Sequence, residues 1–326
     1  MNKNIKLIVN YLLGPLLFVL LSWSLYRQII RQEDLGTRWQ EIRMSWKQPG
    51  FWMVFALMFI NWGIEARKWQ LLMKPLQKFN LAGAFKAVLA GCSITMLTPN
   101  RIGEYGGRIM YVNEAYRLRA VSLTILGSMA QLTITMIMGT IGLIMIRVGK
   151  IIEAGRFAGY SWMLGNTLIL ISLIVTVILL LLLFRMHFIV SVVSRIGFLK
   201  NIVKHIVVVE EVGGKQLLRI LNLSFFRYMV FILQYILLLK VMEVNIAYPV
   251  SFLLLTLFYL VMAVAPTAGF TELPVRAIAS VALFNLFSTN IVGIQAAAFG
   301  IWLINLVIPA VLGSLLILGI KIMKER

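Results

Sequence analysis

Two polar interruptions of otherwise apolar sequence hold the residues whose types and spacing could do chemistry. In chain order these residues are Thr98, Pro99, Arg101, Gly103, Glu104 and Arg108, and then Pro266, Gly269, Glu272 and Arg276. Each interruption follows an apolar stretch and contains a proline, a nearby glycine, and a glutamate followed four positions later by an arginine. In a helix such a Glu–Arg pair shares one face and can form an ion pair. The repeat predicts two related interruptions, one in each half of the chain, that meet at one shared substrate site.

The residue types within each interruption suit the binding of an anion. Proline ends the incoming helix, and glycine permits a sharp reversal and a close approach of backbone N–H groups to a ligand. The outgoing half-helix then presents its N-terminal N–H groups, whose partial positive charge favours phosphate. Arg101 must compete with Arg108 for Glu104, so cations exceed anions there. We predict a substrate-binding site built from these ten residues, with no catalytic residue, metal or cofactor.

Two simpler interpretations stay open at this point. Both Glu–Arg pairs could merely hold their turns in shape, and Arg101 could extend its side chain to the lipid headgroups. The remaining charged residues in apolar surroundings are expected to be interfacial. Glu65 is predicted to pair with Arg67 and Lys68 at the membrane surface. Arg227 is predicted to extend out of its span, with a place in the lining of the cavity as its alternative. Cys92 is expected to be a small packing residue.

Composition decides the environment in which these sites must work. The chain of 326 residues is 60% hydrophobic and only 13% charged, whereas soluble proteins average about 25% charged residues. It therefore belongs in a membrane. The net charge of +19 comes from 31 Lys and Arg against 12 Asp and Glu. Because these cations lie between apolar runs, they are expected to set topology and to meet anionic lipids, not nucleic acid.

The apolar runs predict an all-α polytopic membrane protein with about six full spans, two re-entrant helical hairpins and interfacial amphipathic helices. The interfacial helices are expected within 31–47 and 189–206. The hairpins end at the two interruptions. The expected apolar segments are Ile5–Tyr26, kinked near Gly14 and Pro15, Phe51–Ala66, Leu81–Leu97, Val121–Ile146, Leu164–Phe184, Leu221–Leu239, Pro249–Ala265, Ile278–Phe287 and Ile294–Ile320.

The distribution of cations predicts the orientation. With both interruptions re-entrant, one side of the membrane carries roughly twice as many Lys and Arg as the other, and such an excess marks the cytoplasmic side. Both termini are then cytoplasmic, and the two hairpins enter from opposite sides as an inverted repeat. We predict a single transmembrane domain over 1–326, with half-repeats at about 1–146 and 162–326 and breaks at 98–108 and 266–276. Paired broken helices of this kind often flank a transporter's substrate site.

The first interruption also resembles a known family. Thr98, Pro99, Arg101, Gly103, Glu104 and Arg108 are similar to the signature T-P-G-R-x-G-E-x-x-x-R of the lysylphosphatidylglycerol synthase/flippase transmembrane family, with Asn100 in place of its glycine. Pro266, Gly269 and Glu272 resemble that family's second break. The resemblance implies a protein that binds a membrane phospholipid and moves it between leaflets. It further implies a multi-pass protein of the bacterial cytoplasmic (inner) membrane.

The resemblance leaves several functions to be compared. No stretch outside the membrane is long enough for the family's aminoacyl-transferring domain, so this chain alone is not expected to be an enzyme; a separate lipid-modifying enzyme and a homo-oligomer remain conceivable partners. The first alternative is a secondary transporter of a small organic anion or ion that uses a protonatable glutamate. An intramembrane enzyme with Glu104 and Glu272 as an acid–base pair, and a scaffold with a dry interior, complete the set.

Overall fold

The computed structural model describes residues 23, 26, 27, 30, 35–96, 98, 102–149, 162–185, 207–265 and 272–324. Over these residues the chain forms eleven α-helices and no β-strand. The helices are α1 (Leu35–Met44), α2 (Pro49–Met73), α3 (Leu81–Thr95), α4 (Gly103–Ile109), α5 (Arg117–Val148), α6 (Trp162–Phe184), α7 (Gly214–Val241), α8 (Tyr248–Val264), α9 (Glu272–Phe284), α10 (Ile291–Trp302) and α11 (Ile308–Lys324). Short 3-10 turns lie at Ser45–Lys47, Glu114–Tyr116 and Val207–Glu211, and a π-helical turn, Leu303–Val307, joins α10 to α11.

Five described segments are long and apolar enough to cross a membrane, which confirms the helical polytopic architecture. They are Pro49–Met73, Glu114–Val148, Gly165–Phe184, Gly214–Val241 and Ile291–Leu318. The expected first span, Ile5–Tyr26, lies almost wholly outside the described residues, as do its kink and the predicted interfacial helix at 189–206. The apolar helices α3 and α8 have 15 and 17 residues. At 1.5 Å per residue each falls short of a hydrocarbon core about 30 Å thick.

Helices α2 and α7 extend further than their sequences predict. Helix α2 continues to Met73, past the point at Arg67–Trp69 where its end is expected, and α7 begins at Gly214 instead of Leu221. Two of the three residues taken for a helix end are buried: Lys68 is 1% exposed and Trp69 is fully buried. Trp69 donates through Nε1 to the Thr124 hydroxyl at 3.3 Å. Because neighbouring residues in the protein interior bind the polar groups of Lys68 and Trp69, helix α2 does not end at these residues.

The predicted helix within 31–47 forms as α1, followed by a 3-10 turn. Arg38 and Glu41 pair across one turn of it at 3.1 Å. Trp39 and Trp46 are more than half exposed, as an interfacial helix requires of the face that meets lipid. The position of α1 in the headgroup layer stays a prediction.

Small residues and hydroxyl groups join the long helices. Helix α8 packs on α5 where Gly142 meets the hydroxyl of Thr256. Helix α6 is tied to α5 by a buried hydroxyl cluster in which Thr140 lies 2.6 Å from Ser172 and 3.2 Å from Thr176. Close approach at small residues and interhelical hydroxyl bonds are the usual means of helix association where water cannot drive it.

Candidate functional site

The first interruption folds as a tight antiparallel helical hairpin between α3 and α4. Gly103 faces the carbonyl of Ile94, and one turn further on Gly107 faces that of Ala90. The hydroxyl of Thr98 accepts a hydrogen bond from the Gly103 amide at 2.7 Å and donates to the Ile94 carbonyl at 3.3 Å. The glycines therefore serve the close approach of two helices, a role that their spacing of four indicates, and not only the chain reversal expected from the sequence.

Adjacent glycines in α4 provide a matched test of this packing. A Cβ on Gly107 would meet the backbone of Ala90 and lie 2.6 Å from Gly91 Cα, whereas a Cβ on Gly106 would meet nothing within 4 Å. We expect Gly107→Ala to destabilise the protein by about 1–3 kcal/mol, since backbone atoms must move to make room. Gly106→Ala should be neutral or slightly stabilising, because alanine favours the helix. Thermal unfolding in detergent measures both; equal effects would contradict the close packing.

The hairpin carries Arg108 into a buried group of charges. Arg108 donates to Glu65 Oε1 at 2.9 Å and also pairs with Glu104. The other oxygen of Glu65 lies 2.7 Å from Lys68 Nζ and 3.0 Å from Arg227 Nη1. Three cations from three helices, α2, α4 and α7, thus meet one carboxylate. We refer to Glu65, Lys68, Glu104, Arg108 and Arg227 as the Glu65 cluster.

The structure corrects two expectations about these residues. Glu65 is not at the protein surface: it is 3% exposed and does pair with Lys68, while the predicted partner Arg67 binds Gln70 at the surface instead. Arg227 does not extend to the headgroups, because α7 starts earlier than expected and places Arg227 near its middle, 9% exposed. Only tertiary packing brings Arg108 across to α2, so local spacing could not reveal this arrangement.

A chain of amides extends the cluster to the π-helical turn. Asn61 accepts from Arg227 Nε at 2.8 Å and donates to Asn305 at 3.3 Å. Asn305 lies in the turn Leu303–Val307, and π-helical turns occur often at functional sites. The guanidinium of Arg227 also lies 5.2 Å from the ring centres of both Trp62 and Phe231. Arg227 is therefore held by a carboxylate, an amide and two aromatic faces.

The second interruption also forms its predicted ion pair. Glu272 begins α9, and its Oε1 accepts from Arg276 Nη2 at 2.9 Å. The two residues are 5% and 8% exposed. Arg276 lies 5.5 Å from the ring centre of Phe258 on α8, and one turn later in α9 Ser280 meets the Tyr235 hydroxyl of α7 at 2.7 Å. Over the described residues, Arg276 thus lies beside an aromatic ring, whereas Arg108 lies among charged groups.

Helix α7 contributes a residue to each site. Arg227 belongs to the Glu65 cluster, and Tyr235 packs against Phe258 beside Arg276. Tyr235 follows Arg227 by eight positions, which corresponds to about 12 Å along the helix. Of the residues predicted from the sequence, the structure describes Thr98, Gly103, Glu104, Arg108, Glu272 and Arg276. Pro99, Arg101, Pro266 and Gly269 lie outside the described residues.

Sequence reasoning assigned no role in the site to Asn61, Glu65, Lys68 and Asn305. It gave Arg227 such a role only as an alternative. The sequence did contain a signal for these residues, since polar and charged residues within apolar spans are costly and tend to be functional.

A cavity of about 330 Å³ opens elsewhere, at the α7–α8 connection beside Lys240 and Tyr248. Lys240 lies 13 residues beyond Arg227, about 20 Å along α7, so this cavity is separate from the Glu65 cluster.

Comparison with known proteins agrees with the resemblance of the first interruption. A family model described as the lysylphosphatidylglycerol synthase TM region matches residues 11–313. No curated protein and no solved structure matches the chain. The match covers all the described helices except the end of α11, and includes both Glu–Arg pairs and the whole Glu65 cluster. The chain is a multi-pass helical membrane protein that belongs to the lysylphosphatidylglycerol synthase transmembrane-region family.

Proposed function

We propose that this protein is a flippase-like lipid transporter that binds the anionic headgroup of a membrane phospholipid and moves it between leaflets. The observation that carries the proposal is the Glu65 cluster, in which three buried cations converge on one carboxylate near the middle of α7. Membership of a family of flippase-like membrane domains supports it.

The cost of burying charge explains why such a cluster suits a ligand. Each unpaired charge in a low-dielectric interior is expensive, and three neighbouring cations also repel one another. A phosphate group offers oxygens that can accept from guanidinium and ammonium groups together. Because Arg108 is attached to the α3–α4 hairpin whereas Lys68 and Arg227 lie on the long helices α2 and α7, a bound headgroup would couple the hairpin to the rest of the protein.

In the proposed cycle the acyl chains stay in lipid while the headgroup crosses between the hairpins. The first interruption supplies Arg108 and, earlier in the same stretch of sequence, Arg101; the second supplies Glu272 and Arg276. We propose that the hairpins are re-entrant from opposite sides, form an inverted repeat in a single transmembrane domain, and open alternately. The chain contains no G-x-x-x-x-G-K-[ST] phosphate-binding sequence, so an ion gradient or the lipid gradient itself is the proposed driving force.

Reconstitution with Arg108→Lys tests the proposed function. We expect wild-type protein in liposomes to move labelled anionic phospholipid faster than protein-free liposomes do. Arg108→Lys should lower that rate by about tenfold or more, because lysine keeps the charge but lacks the planar fork that reaches Glu65, Glu104 and a phosphate together. Arg117→Lys is the matched control, since Arg117 pairs with exposed Glu114 at the surface and its replacement should leave the rate unchanged.

Other outcomes of this assay favour the alternatives. Uptake of a water-soluble organic anion without lipid movement would favour a secondary transporter, and no movement of either would contradict the proposal. An acid–base enzyme is less consistent with the geometry, because Glu104 and Glu272 are each bound by an arginine. For the protein in its cell we propose the bacterial cytoplasmic membrane, both termini cytoplasmic, and membrane phospholipid as the partner.

A further inference from the structure

We propose that the Glu65 cluster selects phosphodiester lipids whose headgroup carries one net negative charge and contains no amine. Zwitterionic phosphodiesters and phosphomonoesters would be disfavoured. The inference rests on the proposed function, and it names the charge class of the lipid that the site takes.

The charge count of the cluster carries the first part of the argument. Over the described residues, Lys68, Arg108 and Arg227 face Glu65 and Glu104, so the ordinary ionised forms leave one positive charge in excess. The side chains are between 2% and 11% exposed, except that of Glu104 at 23%. A singly charged phosphodiester makes this buried group neutral, which is the least costly state in a low dielectric.

Ligands of other charge leave the site unbalanced. A phosphomonoester carries about −1.5 to −2 at neutral pH and would turn the excess of positive charge into an excess of negative charge. A zwitterionic headgroup adds an ammonium to a region that already holds three cations and leaves the excess uncorrected. Because opposite and like charges interact strongly where water is sparse, a difference of one charge unit should be decisive.

Buried hydrogen-bond donors provide an independent second observation. Arg108 Nε, Trp62 Nε1 and Asn305 Nδ2 are buried and have no hydrogen-bond partner among the described residues. Their residues are 2%, 7% and 7% exposed. Buried polar groups are normally hydrogen-bonded, so each of these three donors without a partner requires an explanation. All three are donors, and a ligand that only accepts, such as a phosphodiester, would satisfy them.

These donors lie around the same cations. Arg108 is a member of the cluster, and Trp62 lies against the Arg227 guanidinium at 5.2 Å from the ring centre. Asn305 reaches Arg227 through Asn61, over hydrogen bonds of 3.3 and 2.8 Å. The three donors therefore belong to the cluster or are linked to its cations by direct contact or through Asn61. An acceptor-rich anion would satisfy these donors and balance the positive charge.

Two substitutions that change the charge of the cluster test the inference. Rates are measured in liposomes for labelled phosphatidylglycerol, phosphatidic acid and phosphatidylcholine. Wild-type protein should move phosphatidylglycerol fastest. Lys68→Gln removes the excess charge and should lower the phosphatidylglycerol-to-phosphatidylcholine rate ratio by about tenfold. Glu104→Gln raises the excess to two and should increase the phosphatidic acid-to-phosphatidylglycerol ratio by a similar factor. Lys78→Gln and Glu114→Gln, at exposed positions, should change neither ratio.

The possible results separate this inference from the proposed function. If lipid moves but both ratios stay constant while the absolute rates fall, the charge rule is overturned and the lipid transporter stands. If no lipid moves faster than in protein-free liposomes, the proposed function itself fails. A further experiment adds glycerophosphoglycerol, the water-soluble headgroup of phosphatidylglycerol, to the same liposomes. The Glu65 cluster should bind this solute as it binds the lipid headgroup. Inhibition of lipid movement supports one shared site, and uptake of this solute with no lipid movement contradicts the lipid as ligand.

Discussion

Glu65→Ala is expected to destabilise the protein by about 3–5 kcal/mol, the cost of breaking a buried ion pair and leaving its partners uncompensated. Lys68, Arg108 and Arg227 all lie within 3.0 Å of this one carboxylate. Arg108 would retain Glu104, whereas Lys68 and Arg227 would lose the carboxylate that they share. Thermal unfolding in detergent, with retention on size-exclusion chromatography, measures the loss.

A second substitution identifies electrostatics as the cause. Adding Arg227→Met to Glu65→Ala removes one of the stranded cations, so the double variant should regain part of the lost stability. Glu114→Ala is the control, because its side chain is 81% exposed and its pairing with Arg117 is a surface contact worth at most about 1 kcal/mol. If Glu65→Ala unfolds no more readily than Glu114→Ala, the cluster does not contribute to stability.

Exchanging Glu272 and Arg276 separates a structural role of this ion pair from a role in binding. Glu272→Arg combined with Arg276→Glu can re-form an i,i+4 pair, so stability should return to within about 1 kcal/mol of the wild-type value. The cation, however, moves one turn, about 6 Å along α9, and leaves its place beside Phe258. We therefore expect lipid movement to stay at least about tenfold below the wild-type rate, because a misplaced group loses productive geometry.

The single variants complete this experiment. Glu272→Arg and Arg276→Glu alone should each lower both stability and transport, since each places two like charges one turn apart in a buried site. Recovery of transport together with stability in the double variant would show that the pair only holds its helix in shape. Recovery of stability alone would support a place for Arg276 in the path of the headgroup.

The two halves of the protein use the same Glu–Arg spacing in different surroundings. The Glu104–Arg108 pair joins a network of charges, whereas Arg276 of the second pair lies beside Phe258 of α8, which packs on Tyr235 of α7. If the headgroup passes both sites, the first would bind it strongly and the second more weakly. Such a difference would let a lipid leave as well as enter.

The amino-acid sequence by itself determined the class of the protein and its local pairs. Long apolar runs leave few alternatives to membrane-spanning helices, and five of the expected spans are present in the described residues. Both Glu–Arg pairs form as predicted, because residues four apart share a helix face whatever the tertiary structure. The family signature around Arg108 likewise depends only on sequence, and the family match confirms it.

Only the tertiary structure decided which charges are buried together. Glu65, Lys68 and Arg227 lie on two helices widely separated in sequence, and Arg108 reaches them because Gly103 and Gly107 let α4 pack closely on α3. From the sequence, a lysine near the end of an apolar run equally well suggests a helix end at the headgroups. Whether such a charge extends to water or is neutralised inside depends on partners that other helices bring to it, and spacing along one helix carries no information about them.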